Sequence, residues 1–109
     1  MRAEELKTAK TESRFRGVNE RIAESAEQFG TDELALVCEC ADPNCGQQID
    51  TPLNEYEETR SDGAHFLVAP GHEVPDHERV VKTGPGYRIV EKLRAVGAVA
   101  RRLNPRPAR

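Results

Sequence analysis

A small single-domain α+β fold is what this sequence predicts, on three observations. Apolar residues recur at helical spacing from Phe15 to Phe29. All three cysteines fall within eight residues, from Cys38 to Cys45, around a turn built from Asp42, Pro43 and Asn44. After Ser61 the chain breaks into short apolar runs separated by Pro and Gly, the pattern of antiparallel strands. A length of 109 residues suits one domain. Charged residues make up 32% and aromatics 5%, with no Trp, so large core side chains are scarce and a staple would add useful stability.

Residues 1–13 are polar and are expected to form a flexible N-terminus. The spacing of Phe15, Val18, Ile22, Ala26 and Phe29 predicts an amphipathic helix over 14–29, with that stripe packed on a sheet and Glu20, Glu24 and Glu27 on the wet side. Gly30 is placed to end it. A strand over 34–40 would put Leu34, Leu36, Cys38 and Cys40 on one face, with Glu39 on the other. Asp42-Pro43-Asn44 turns the chain, and a second strand follows around Ile49, completing a β-hairpin that a metal could pin.

Thr51 and Pro52 are suited to open a short helix as cap and first residue, with Leu53 and Tyr56 facing inward. The acidic Glu55, Glu57 and Glu58 are expected to face solvent. A third strand is expected over 65–69, broken by Pro70-Gly71. Arg79–Lys82 and Tyr87–Glu91 form the clearest hairpin, joined across Thr83-Gly84-Pro85-Gly86. The α+β domain thus spans 14–92. Residues 93–109 form a basic tail with weak helical spacing, which Gly97 weakens further.

Charge is uneven. Residues 1–16 carry a net +2, residues 17–91 a net −11 and residues 92–109 a net +6. The body should repel nucleic acid, and only Lys92, Arg94, Arg101, Arg102, Arg106 and Arg109 could attract it. Aromatic stacking residues are absent there, which favours a solubilising tail. No apolar run is long enough to cross a bilayer, and Met1-Arg2-Ala3-Glu4-Glu5 lacks the apolar segment of a signal peptide, so a cytoplasmic protein is expected.

The cysteines carry the chemistry. An odd number cannot pair fully within one chain, and in a reducing compartment closely spaced thiols point to metal ligation or reactivity. On a strand Cys38 and Cys40 stand roughly 6.5–7 Å apart at Cα, which disfavours a disulfide between them. Structural zinc takes four ligands, usually Cys and His, so one zinc per chain on Cys38, Cys40 and Cys45 needs a fourth. His72 follows the Pro70-Gly71 break and is the first choice. His65 is the alternative, and His77, among Asp76, Glu78 and Arg79, the third. Asp42 is expected to cap its turn. Buried free thiols and an iron–sulfur cluster are the competing readings of the same residues.

No H-x-E with P-C-x-x-C and no H-E-x-x-H is present, Gly84 and Gly86 form a hairpin turn, and Glu39 and Glu73 complete no hydrolase pattern. The expectation is therefore a non-catalytic interaction or regulatory module with a protein partner that bears basic patches. The alternatives are a redox sensor, in which oxidation forms a Cys40–Cys45 or Cys38–Cys45 disulfide and ejects the metal, and a nucleic-acid-associated regulator using the tail.

The pattern Val18-Asn19-Glu20-Arg21-Ile22, Cys38-Glu39-Cys40 with Asp42-Pro43 and Cys45, Glu55-Tyr56-Glu57, Pro70-Gly71-His72-Glu73 and Val90-Glu91-Lys92 resembles a family of small uncharacterised bacterial proteins over about residues 15–92. The resemblance implies that the cysteine knuckle pairs with the Pro-Gly-His turn. It implies no activity.

Overall fold

A computed structural model describes residues 3–106. Helix α1 spans Ala3–Phe29, β1 Glu33–Val37, β2 Gln48–Pro52, α2 Leu53–Thr59, β3 His65–Val68, β4 Glu78–Gly84, β5 Tyr87–Lys92 and α3 Arg94–Arg102. The α+β reading holds.

Helix α1 differs from expectation at its start and in its inner face. It begins at Ala3, not at 14, through a run rich in strong helix formers with Glu4 and Glu5 in the first turn, where the helix dipole favours acids. Its buried seam runs through Ala9, Glu12, Arg16, Asn19, Ala23 and Ala26, in steps of three and four. The expected stripe is largely outside that seam: Ala26 is buried, Ile22 packs on the core edge, Phe15 and Val18 are half-buried, and Phe29 is 75% exposed. Glu20, expected on the wet side, is buried. Three of the buried polar groups explain their positions by partners elsewhere in the chain: Glu12 meets Lys92, Asn19 meets Val37 and Glu39, and Glu20 meets Arg60 and Arg106. Gly30 ends the helix at φ +70°, with the Thr31 N–H donating to the Ala26 carbonyl and the Gly30 N–H to that of Glu27, a Schellman cap.

Two antiparallel sheets follow. In the first, β1 pairs with β2, with Leu34 opposite Thr51 and Leu36 opposite Ile49 on the buried side. The second has the order β3-β5-β4. Pro85 and Gly86 turn β4 into β5, and a bulge at Val81 interrupts their pairing. The strand expected over 34–40 stops at Val37. The Cys38 N–H still bonds to Gln47 O at 2.9 Å, but the Glu39 N–H turns to Leu67 O at 2.8 Å, so the chain leaves one sheet for the other. Glu39, on the face opposite the cysteines, is for that reason buried. Leu34, Leu36, Ile49, Tyr56, Phe66, Leu67, Ile89 and Val90 make the centre of the core.

At α2 the expected cap is absent. Pro52 itself is the cap residue without a side-chain hydrogen bond, and Thr51 belongs to β2. Tyr56 is buried as expected, whereas Glu55 pairs with Lys82 and Glu57 with Arg106. The tail is folded back over its described length. Val96, Gly97 and Ala100 of α3 are buried, and Gly97 is required because a Cβ there would stand 2.5 Å from the Lys92 carbonyl oxygen. Among the described residues, no helix is long and apolar enough to cross a membrane.

Candidate metal centre

The centre is made by two turns. In the first, the Asp42 carboxylate accepts the Asn44 N–H at 2.9 Å and its carbonyl accepts the Cys45 N–H at 3.1 Å, which folds Cys45 back toward Cys38 and Cys40. Asp42 is thus occupied in the turn. In the second, Ala69-Pro70-Gly71-His72 closes with the His72 N–H donating to the Ala69 carbonyl at 3.0 Å and Gly71 at φ +86°. Proline followed by a glycine of positive φ is the demand of a type II turn, and it carries His72 over the cysteines. Glu73 secures this turn by accepting the Gly71 N–H at 2.8 Å and pairing with Arg88.

The result is a four-residue cluster. The Sγ atoms of Cys38, Cys40 and Cys45 and a ring nitrogen of His72 all lie within 4.8 Å of one another, so the group could hold a metal ion. His72 Nδ1 stands 3.5 Å from the sulfurs of both Cys38 and Cys45. A tetrahedral zinc with ordinary Zn–S and Zn–N bonds gives an S···N edge of about 3.6 Å, so the donor set fits that ion in type, number and spacing. Cys38 and Cys40 are buried, while Cys45 and His72 are half-buried. Burial pushes both the Cys38 and Cys40 thiols up, and for Cys38 the Ala69 N–H, 3.2 Å from its sulfur, works the other way. A bound divalent cation reverses this balance, because a coordinating thiol loses its proton outright.

His65, the alternative fourth ligand, lies elsewhere. Its Nε2 is 3.2 Å from Glu91 and 3.6 Å from Asp62, forming a second acid–histidine group that sequence spacing did not reveal. That group is flanked by Arg79 on Glu91 and Arg101 near Asp62, which supply the positive charge its carboxylates need. His77 is exposed, in the turn before β4.

The tail cations divide in the same way. Lys92 is buried between Glu12 and Glu78. Arg106 reaches Glu20 at 2.7 Å and Glu57 at 2.6 Å. Arg101 faces Asp62, while Arg94 and Arg102 are exposed and Arg109 lies outside the described residues. Burial by itself would raise Glu20, but Arg106 and Arg60 together hold its carboxyl below the usual range.

Arg16 was not foreseen as a core residue. It is fully buried, donates to the carbonyls of Gly63 at 2.8 Å and His65 at 3.0 Å, and lies 3.6 Å from the Phe66 ring centre. Burial lowers its pKa to about 10 against the pull of Glu39.

Comparison of the chain with protein-family models, with curated proteins and with solved structures returns no match.

Proposed function

We propose that this is a zinc-binding protein, one zinc per chain on Cys38, Cys40, Cys45 and His72, serving as a non-catalytic interaction or regulatory module. The observation that carries it is the convergence of three thiols and one imidazole from two distant turns, all within 4.8 Å of one another. Zinc is favoured among metals because mixed Cys and His donors in a closed set of four suit it. With four protein ligands the ion keeps no position for water, so its contribution is to hold the 38–45 turn against the 69–72 turn. The binding of a structural zinc is then part of the folding free energy.

A protein partner with basic patches fits the acidic body, and the reducing cytoplasm fits free thiols. The internal use of Lys92 and Arg106 leaves fewer tail cations for nucleic acid, which supports the protein partner over that alternative.

The test is equilibrium denaturation of the zinc-loaded protein with and without a strong chelator under reducing conditions. Complete demetallation should lower the midpoint severely or unfold the domain. An unchanged midpoint after verified metal removal would reject the proposal.

A further inference from the structure

Glu39 lies between two of the four cluster residues, yet its carboxylate takes its donors from other elements. Oε2 accepts Asn19 Nδ2 at 2.8 Å and Oε1 accepts the Leu67 N–H at 3.0 Å. Its own N–H returns a bond to Leu67 O at 2.8 Å. Asn19 in turn grips Val37 by both backbone groups, donating to its carbonyl and accepting its N–H, each at 2.8 Å. Residues 37–39 are therefore held on two sides, by α1 and by β3, directly beside Cys38 and Cys40.

The same contacts reach the other half of the centre. Leu67 lies two residues before Ala69, whose N–H donates to the Cys38 sulfur at 3.2 Å and whose carbonyl anchors His72. A carboxylate with no exposed surface is costly to bury unless its hydrogen bonds are made. Here they are made to the two segments that must stay in register for four ligands to meet.

We infer that Glu39 and Asn19 are positioning residues that set the affinity of the metal centre by locking its cysteine turn to its histidine turn and to α1. This rests on the proposed metal binding by Cys38, Cys40, Cys45 and His72. Neither residue touches the ion. Outer contacts that orient ligands typically govern about 10–100-fold in metal affinity.

Glu39→Gln leaves one acceptor for two donors, so its NH2 faces either the Asn19 amide or the Leu67 N–H, donor to donor. Asn19→Asp places a carboxylate against the Glu39 carboxylate. The double variant Asn19→Asp/Glu39→Gln restores the donor–acceptor pair between the two side chains in the reverse sense, while the bond from residue 19 to the Val37 carbonyl stays lost as in Asn19→Asp. The full chain and these variants are compared by zinc competition with a chromophoric chelator and by the thiolate charge-transfer and d–d bands of the cobalt-loaded protein.

Each single variant should bind zinc about 10–100-fold more weakly with displaced cobalt bands, and the double variant should recover part of the loss. Because zinc binding is coupled to folding, a purely structural role would also weaken the apparent affinity but would leave the cobalt bands of the loaded protein at parental positions, and that result overturns the inference. If a single variant does not fold even in saturating zinc, the double variant decides: recovered binding supports the inference, and no recovery overturns it. Failure of the parent chain to bind zinc would instead sink the metal reading itself.

Discussion

Two carboxylates, Glu12 and Glu78, close on a single ammonium, Lys92, and the three are 1%, 5% and 3% exposed. The three together carry one net negative charge, which Arg16 offsets only in part, and Glu12 is the group that responds. Burial raises its pKa to about 7 from 4.5, Lys92 pulls it back and Glu78 adds to the rise. An upward shift on an acid means that the folded state holds a proton that the unfolded chain gives up. The stabilising contribution is complete below pH 4.5 and is lost as pH rises through about 7. At about 1.4 kcal/mol per pH unit, the loss amounts to roughly 3 kcal/mol.

Glu12→Gln removes the ionisation and keeps a carbonyl oxygen for Lys92 to donate to. The variant should be close to the parent near pH 5 and gain on it by about 2–3 kcal/mol as pH rises to 8. Urea denaturation of both zinc-loaded proteins across that range reads the difference directly. Comparison at equal pH cancels the proton dependence of metal binding, which both share. A stability difference that does not change between these pH values would refute the assignment of the uncompensated charge to Glu12.

Two further substitutions test the way the tail is held. Gly97→Ala in a solvated helix would gain about 1 kcal/mol of propensity, but here the new Cβ meets backbone at 2.5 Å, so a net loss of about 1–3 kcal/mol is expected in the denaturation midpoint. Arg106→Ala removes the contacts to Glu20 and Glu57 at a side chain 24% exposed and should cost about 1 kcal/mol at neutral pH. Because Glu20 is held below its usual range, that cost should fade as pH drops below 4.5 and Glu20 takes up a proton; a cost of equal size in acid would contradict the pairing.

The two hairpin pairings, the terminator at Gly30 and the two turns that present Cys45 and His72 were legible because each rests on local chemistry, whereas the pairing of β3 with β5 was not foreseen. Turn residues fix where the chain reverses, and strand alternation fixes which side chains share a face. The inner seam of α1 was not legible for a physical reason. Periodicity counts apolar residues, whereas the middle of this seam is Glu12, Arg16 and Asn19, with Glu20 buried beside it, and their burial depends on partners 18 or more residues away. Nothing near Glu12 announces Lys92. The same blindness set the helix start at residue 14 and left the tail unpacked. Glu39 does face away from the cysteines, but its burial was not legible because the chain changes sheets after Val37 and covers that face. By propensity Gly97 only weakens its helix; its place there is required by the Lys92 carbonyl beside it, a contact that spacing does not announce.

The most direct measurement is bound metal per chain in protein purified under reducing conditions without affinity to immobilised metal, for the parent, His72→Ala and His65→Ala. One zinc per chain in the parent and in His65→Ala, with metal lost or greatly weakened in His72→Ala, is the expected result. A parent chain free of metal after added zinc, or a His72→Ala variant that holds zinc as tightly as the parent, would contradict the Cys3His centre.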